Sequence, residues 1–519
     1  MINNWWVTRP KRKLTSVPED LAVIAAAALN REWEGDRKLH LLVEKGLETS
    51  GLKREGARRD QGGGGGRTYV AWLKSLGLLF TQKSTNRLCL TLAGEELLDG
   101  KSPTEILTNQ ILKYQFPSTF SVSTNVNVNP RFHIRPFRFL FRLLLDDRIQ
   151  YLTQDEIAKI VITEAEDESD KCFNAVVQRI LEFREKGDSC LPADFEKRHP
   201  STRSNVKTTA SVRLNDIANT IINWVEYTQY AARDADRCIR ILPDKIDDVL
   251  SIFIESSPLI GRWEDEEFFQ RKYGVDPWHS KDTRNLTQST TVTALVVVKA
   301  KIRQAFLAYA AKNPVLAIDS KVVDNIANIT GIDARTVEDS LCEMYPRGAF
   351  GSFLPSYNEM AFCGRERATD FELATASLFK TVFGFKTEHV GSKGKTPDVL
   401  VLSDCEGFQA ILDNKAYSAY SISNDHMNRM VVNYIQGVKK YSASNYPLSF
   451  FSYIAGGFSS GIDRGINAIR ERTGVNGSAI SAGGLSNLMQ RHLEHPYSHA
   501  KLKDIFSVNR KIVQRDFDV

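Results

Sequence analysis

Long apolar runs are missing from this chain. No stretch of 18 apolar residues occurs among its 519, so no membrane-spanning helix is expected. The opening Met1-Ile2-Asn3-Asn4-Trp5-Trp6 lacks the basic-then-apolar order of a signal peptide. Cysteine is sparse and scattered, at Cys89, Cys172, Cys190, Cys238, Cys342, Cys363 and Cys405. No C-x2-C pair exists, which excludes a zinc-finger signature and fits reduced thiols in a cytoplasm. There is no internal repeat and no low-complexity tail. Neither sign of charge dominates: the formal net charge of +5 permits nucleic-acid binding without requiring it. What is present is ordinary for globular protein, with 42% hydrophobic and 25% charged residues. At about 100–200 residues per domain, the length predicts three or four domains.

One stretch carries chemistry. Thr396-Pro397-Asp398 opens the apolar run Val399-Leu400-Val401-Leu402, a buried-strand pattern. A turn-like Ser403-Asp404-Cys405-Glu406-Gly407 follows, and a second apolar run from Phe408 to Leu412 delivers Asp413-Asn414-Lys415. The pattern is P-D-x14-D-x-K on a β-hairpin. Period-2 geometry puts Asp413 and Lys415 on one face of their strand and Asn414 on the other. Two carboxylates and an ammonium converge, the minimal set for Mg²⁺-dependent phosphodiester hydrolysis. Hard carboxylate oxygens hold the cation, which polarises the phosphate and acidifies a bound water. The lysine orients that water and offsets developing charge. On spacing alone, a solvated Asp and Lys at a hairpin edge fit as well.

The neighbours separate these readings. Asp370 to Phe383 is helical in pattern, with Phe371, Ala374, Leu378 and Val382 on one stripe and Glu372 in the first turn, placed to reach the same cation. Another helix is expected from about Ser423 to Tyr441. This order of helix, strand, turn, strand and helix resembles the α/β core of the PD-(D/E)xK nucleases. Val382-Phe383-Gly384-Phe385, His389-Val390-Gly391-Ser392, Thr396-Pro397-Asp398, Asp413-Asn414-Lys415-Ala416-Tyr417-Ser418 and Asp425-His426-Met427-Asn428-Arg429 resemble the cleavage domain of the FokI-type restriction endonucleases. Gly457-Phe458-Ser459-Ser460-Gly461 and Asn476-Gly477-Ser478-Ala479-Ile480 extend the resemblance, which covers about 370–490. It implies that Asp398, Asp413 and Lys415 are catalytic and that Glu372 is the first-helix acid. It also implies that Asp425 and Arg429 lie on a helix that pairs two cleavage domains; an intrahelical ion pair is the plainer reading of that spacing. Asn414 is the one departure. Gly394-Lys395-Thr396 looks like part of a phosphate-binding loop, but His389 stands where the first glycine is needed, and Pro397 follows instead of a helix.

The front half has two basic segments. Arg9-Pro10-Lys11-Arg12-Lys13 is an arm; Lys53-Arg54-Glu55-Gly56-Ala57-Arg58-Arg59-Asp60-Gln61 runs into Gly62 to Gly66 and Arg67. Five glycines are not expected to hold a helix and allow close backbone approach, and the flanking cations suit a phosphate backbone. A solvated loop is the alternative. Candidate DNA-binding residues are therefore Arg9, Lys11, Arg12, Lys13, Lys53, Arg54, Arg58, Arg59 and Arg67. An amphipathic helix from Thr68 to Leu79, a hairpin around Lys83 to Asn86 and a helix from Leu92 form a winged-helix pattern. Two further units are expected near Pro136–Ile162 and Leu214–Asp244. Trp6-Val7-Thr8-Arg9-Pro10, Lys113-Tyr114-Gln115-Phe116-Pro117-Ser118, Leu152-Thr153-Gln154-Asp155-Glu156-Ile157-Ala158 and Phe183-Arg184-Glu185 resemble the recognition half of type IIS and AlwI/BstNBI-group nicking enzymes. From Leu286 to Lys312 a helix and a buried β-strand both fit the Thr/Val-rich sequence.

The expected architecture is multidomain α+β. A basic arm and first winged helix occupy 1–130, further winged-helix-like domains 131–260, a helical connector 261–345 and an α/β PD-(D/E)xK nuclease domain 346–519. The expected function is a cytoplasmic, Mg²⁺-dependent type IIS restriction endonuclease acting on an asymmetric double-stranded DNA site. Its expected partners are a transient homodimer of the cleavage domain and a cognate DNA methyltransferase, with no membrane. The alternatives are a nicking enzyme or the large subunit of a heterodimeric endonuclease, a repair nuclease, and a DNA-binding regulator with an inactive nuclease fold. If the segment from Lys53 to Arg67 contacts phosphates, replacing Arg58 and Arg59 by Ala lowers the salt slope of DNA binding by about one unit for each phosphate no longer neutralised. Affinity unchanged at two salt concentrations returns both residues to a solvated loop.

Overall fold

The computed structural model describes residues 1–56, 61–122, 126–199, 209–234, 236–254, 257–286, 294–391 and 396–517. The architecture is mixed α+β and divides into two compact units. The first is Met1–Ile241 with Lys245–Ser352; the second is Leu242–Asp244 with Phe353–Val519.

The first unit is built mainly of helices. Helices α1 (Val17–Ala28), α2 (Arg37–Thr49) and α3 (Gly64–Ser75) pack together and lead into the antiparallel hairpin of β1 (Leu79–Thr81) and β2 (Leu88–Leu90). Side-chain caps set the helix starts. Asp36 accepts from the Leu39 amide at 3.0 Å, and Thr91 opens α4 (Leu92–Leu98) by accepting from Gly94 N at 3.1 Å. Helix α5 (Pro103–Lys113) has Ser102 as its cap and Pro at its first turn. Further on, Thr153 and Glu156 form a reciprocal capping box. Helix α6 (Ala210–Tyr227) precedes a second short hairpin, β3 (Ala231–Arg233) with β4 (Ile239–Ile241).

The glycine run departs from expectation. Helix α3 begins inside it, at Gly64, with Gly63 as a left-handed cap at φ +76°. The glycines do allow close approach, but to α2 of the same chain. A Cβ on Gly66 would lie 2.4 Å from the His40 carbonyl oxygen, and one on Gly65 2.2 Å from the Glu44 carboxylate. Tertiary contact with α2 therefore offsets the low helix propensity of glycine. Lys53 completes this contact: its ammonium lies 2.9 Å from buried Glu44 and 2.8 Å from Glu48.

Helix α7 (Glu266–Tyr273) packs against β1. Fully buried Tyr273 donates from its hydroxyl to the carbonyls of Ser75 and Gln110. The Thr/Val-rich stretch is helical where it is described: α8 (Ala294–Ala310) lies on α1, while 290–293 fall outside the described residues. Helices α9 (Ser320–Thr330) and α10 (Ala334–Met344) follow.

The second unit is centred on a six-stranded sheet. Its strands are β5 (Lys386–His389), β6 (Val399–Ser403), β7 (Phe408–Asn414), β8 (Leu448–Ala455), β9 (Asn476–Ser481) and β10 (Arg510–Lys511), side by side in that order. β5, β6 and β7 are antiparallel; β7 to β10 run parallel. Every residue of β7 is buried, as a central strand covered on both faces must be. One face holds Ile411, Met430, Phe451, Tyr453 and Ile466. On the other, Phe408 meets Phe450, and Phe450 stacks on Phe506 at 5.4 Å. Helix α11 (Ala368–Thr381) lies over β5, β6 and β7.

Two glycine substitutions test the α2–α3 contact. Gly66→Ala improves helix propensity by about 1 kcal/mol yet forces two backbones apart, with a net loss of about 1–3 kcal/mol. Gly261→Ala has no atom within 4 Å of its new Cβ. It is expected to be neutral or stabilising by about 0.4–1 kcal/mol. Urea midpoints of the two variants compare these outcomes; equal midpoints rule out the close contact.

Candidate functional site

The antiparallel register of β6 and β7 pairs Val399 with Leu412, so Asp398 and Asp413 come together at one end of the hairpin. Asp398 Oδ2 accepts from the Asn414 amide at 2.6 Å. On the neighbouring strand the Lys415 amide donates to the Ile454 carbonyl at 2.7 Å, which fixes the chain just beyond β7. Asp413 and Lys415 share a face, and their Oδ2 and Nζ lie 2.7 Å apart. Asn414 faces the other way: its Nδ2 donates to Thr375 Oγ1 on α11 at 2.7 Å. Thr375 is itself held by the Phe371 carbonyl and the Tyr357 hydroxyl. This chain of bonds ties α11 to β7 one residue from Asp413. Glu372, also on α11, is thereby carried to the acid pair, and its charge is felt by Asp398 and Lys415.

Burial first, then the charges of Asp413 and Glu372, hold the Asp398 carboxyl well above the usual carboxylate range; Lys415 and the Asn414 amide oppose this. Burial works against the Lys415 charge, but Asp413, Asp398 and Glu372 outweigh it and raise the ammonium above its ordinary value. Asp413 is 3% exposed, and its Oδ1 has no hydrogen-bond partner among the described residues. A buried carboxylate oxygen without a donor is costly unless a cation meets it. The donors suit a hard divalent ion: Asp413 Oδ1 and the Asp398 carboxylate supply oxygens only, with Glu372 near enough for its charge to be felt but not closed into one three-ligand group with them.

Two contributors went unread in the sequence. His389, at the end of β5, lies with Nε2 2.8 Å from Glu372 Oε2. Its only sequence signal is a place in the motif His389-Val390-Gly391-Ser392. Asn414 counted as a departure from the motif, and here it is the tie between helix and sheet. The residues 392–395, including most of the Gly394-Lys395-Thr396 stretch, lie outside the described residues.

The remaining candidates are dispersed. Asp425 and Arg429 pair with each other at 2.9 Å, one turn apart, on an exposed segment (Asn424–Asn428) that continues as a π-helix over Arg429–Ile435. In the first unit, Arg9 pairs with Asp216 at 3.1 Å, Arg12 with the same carboxylate, and Lys11 with buried Asp20 at 2.8 Å. Lys13 lies in the field of Glu226. Lys53 neutralises Glu44 and Glu48, and Arg67 binds the Gly62 carbonyl and contacts His40. Arg54 is exposed; Arg58 and Arg59 lie outside the described residues.

Glu96, Asp276 and His279 also form an acid–histidine group, in the first unit. Asp276 already accepts from the amides of Trp278 and His279 and from the His279 ring, a local turn that occupies both of its oxygens.

Against known proteins, the family described as "FokI, cleavage domain" matches residues 331–513. That described as "Type II restriction endonuclease HgaI, N-terminal domain" matches 93–213. No curated protein matches the chain. Among solved structures, the restriction endonuclease FokI aligns at 14% identity over 99% of this chain and 100% of its own, with a TM-score of 0.29. FokI bound to DNA aligns with the same identity and coverage and a TM-score of 0.28. Scores that low carry no argument about the fold. Two restriction-enzyme families matched on separate stretches of one chain support a type IIS restriction endonuclease.

The acid cluster makes a stability prediction. A carboxyl whose folded pKa is raised binds its proton more tightly folded than unfolded. Without metal, stability is therefore lost as pH rises from the unfolded value, about 3.9, through the raised one. Asp398→Asn removes that penalty. Metal-free Asp398→Asn protein is expected to melt above the parent at neutral pH, by about 2–4 °C for each 1 kcal/mol of penalty relieved. The difference vanishes toward about pH 4. A lower melting temperature at neutral pH contradicts the arrangement of charges.

Proposed function

We propose that the protein is a type IIS restriction endonuclease in which the first unit binds an asymmetric double-stranded DNA site. The second unit then hydrolyses phosphodiester bonds at an offset from it. The observation that carries this reading is the Asp398–Asp413–Lys415 set, in which buried Asp413 keeps one carboxylate oxygen without a donor among the described residues. Asp398 and Asp413, with Glu372 beside them, would hold Mg²⁺. Bound there, Mg²⁺ supplies charge at the scissile phosphate and a more acidic water, worth several kcal/mol in the barrier. Asp413 keeps Lys415 protonated and aimed, through their 2.7 Å contact. Lys415 Nζ then hydrogen-bonds the attacking water and the phosphate oxygen that gains charge. Asn414 keeps β7 from shifting against α11 during this step. The complete set speaks against a DNA-binding regulator with an inactive nuclease fold.

The winged-helix reading of the first unit belongs to the same proposal. Helices α2 and α3 followed by the β1–β2 hairpin are its physical support, with α3 in the position of a recognition helix. The enzyme would act in the cytoplasm beside a cognate methyltransferase; no helix among the described residues is long and apolar enough to cross a membrane. A double-strand break needs two such sites or two successive reactions. In the first case Asp425 and Arg429 exchange their intrahelical contact for two across a two-fold axis. The second reading is a strand-specific nicking enzyme. It is favoured by the Asp425–Arg429 pair closing on itself.

Digestion of a sequenced plasmid with Mg²⁺, followed by run-off sequencing of both strands, separates these readings. Asp413→Ala is expected to abolish cleavage and leave site binding intact; residual activity above about a hundredth of the parent, or about 2.7 kcal/mol of barrier, sinks the assignment. Asp425→Arg is expected to suppress double-strand cleavage, with partial recovery on mixing with Arg429→Asp protein. Undiminished cutting of both strands by Asp425→Arg at low enzyme concentration transfers the case to nicking or sequential cleavage.

A further inference from the structure

Glu372 is the one acid of the cluster that does not come from the β6–β7 hairpin. It stands on α11, on a side chain with three rotatable bonds that solvent reaches on one side. Holding such a carboxylate still costs side-chain entropy, which a partner must offset. His389 does. Its Nε2–H donates to Glu372 Oε2 at 2.8 Å, which sets the tautomer of the ring and leaves the second carboxylate oxygen for a cation.

The position of His389 is in turn keyed to the other acids. β5 pairs with β6 in a register that sets His389 opposite Val399, next to Asp398. Immediately after His389, the amides of Val390 and Gly391 both donate to the Asp398 carbonyl, at 3.0 and 3.3 Å. The strand is also fixed to α11 by the Thr387 hydroxyl, which donates to the Ala376 carbonyl at 3.1 Å. Gly391 closes the arrangement. A Cβ there would lie 3.0 Å from Glu372 Oε2, 3.4 Å from His389 Nε2 and 3.5 Å from the Asp398 Cα. The absence of a side chain at 391 leaves room for the His–Glu pair and the Asp398 backbone to meet.

We propose that His389 is a positioning residue. It holds the helix-borne Glu372 in place beside Asp398, so that this third carboxylate is already oriented when a divalent cation binds at Asp398 and Asp413. This inference rests on the reading of the acid cluster as a metal site. Outer partners of this kind change metal affinity or activity by about 10–100-fold when removed, without touching the metal themselves.

The test uses the full-length protein and the metal alone. Isothermal titration of Mg²⁺ into parent, His389→Leu, His389→Gln and Gly391→Ala proteins reads the dissociation constant without any DNA. Plasmid cleavage over a Mg²⁺ series reads the half-saturating concentration. His389→Leu is expected to weaken binding and raise half-saturation by about 10–100-fold. The cleavage rate at saturating Mg²⁺ stays near the parent's, and so does the metal-free melting temperature. His389→Gln places an amide Nε2–H near the position of the imidazole donor and is expected to restore most of the affinity. Gly391→Ala, which pushes on the same carboxylate from the other side, is expected to weaken binding with His389 intact. Parent-like Mg²⁺ affinity in His389→Leu overturns the proposal. So does a fall in cleavage rate at all Mg²⁺ concentrations with unchanged half-saturation. If the parent itself binds no Mg²⁺ and cuts no DNA, the reading of the cluster as a metal site has failed, and this proposal fails with it. Parent binding with parent-like affinity in His389→Leu isolates failure of the His389 role.

Discussion

The contact between Asp413 and Lys415 at the end of β7 is the constraint around which the second unit is organised. A buried acid at the end of a strand covered on both faces meets a half-buried ammonium just beyond it. The acid could not stay there alone: a buried unpaired charge costs several kcal/mol. Asp398 then adds a negative charge that the pair does not neutralise, and burial first, with Asp413 and Glu372 after it, raises the Asp398 pKa. The backbone supplies what compensation it can, through the Asn414 amide on Asp398 Oδ2. The cluster is thus stable as a fold feature and incomplete as an electrostatic one, which is the physical support for the proposed cation.

The sheet explains why the cluster sits where it does. β7 is the strand at which the sheet changes from antiparallel to parallel pairing. Its antiparallel partner brings in Asp398 from the start of β6, and its parallel partner β8 anchors the Lys415 amide. The end of β7 is therefore flanked by the start of one strand and the end of another. Alternation along β7 then separates two jobs: Asp413 and Lys415 face Asp398, while Asn414 holds α11. A shift of one residue would exchange these roles and bury the lysine against Thr375. Two hydrogen-bonded neighbours and one side-chain tie oppose such a slip.

What could be read in advance follows from how local each feature is. The hairpin carrying Asp398 and Asp413 lies within about 18 residues, and its alternation, turn and apolar runs are visible in order. Helix α11 is nearly as plain, because its apolar stripe repeats at helical spacing. The His389–Glu372 contact joins residues 17 apart through a short edge strand whose sequence, Lys-Thr-Glu-His, has little apolar character to announce it. The helix expected from Ser423 to Tyr441 is broken into a short α-helix, a π-helix and a 3₁₀ turn, and periodicity does not register such changes of pitch. The Thr/Val run is ambiguous in sequence because β-branched residues suit strands by propensity; its described part is helical because α1 packs against it.

The front unit teaches the same lesson about charge. Lys11, Lys53, Arg9, Arg12 and Arg67 look available in the sequence because a basic run shows no partners. In the fold each has one: Asp20 is fully buried beneath Lys11, and Glu44 beneath Lys53. Both acids lie on α1 and α2, the helices that support α3. These cations are thus committed to holding the helical scaffold, and contact with DNA requires them to serve two anions at once or to leave one. Lys53 is the harder case, because leaving Glu44 would strand a carboxylate next to the glycine-lined start of α3. Arg12, whose side chain is 59% exposed on a half-exposed Asp216, can exchange partners at little cost. A solvent-exposed pair is weak enough for a phosphate to displace. Availability in the sequence and availability in the structure are therefore different quantities. For phosphate contact, exposed Arg12 ranks above half-buried Arg9, Lys11 and Lys53.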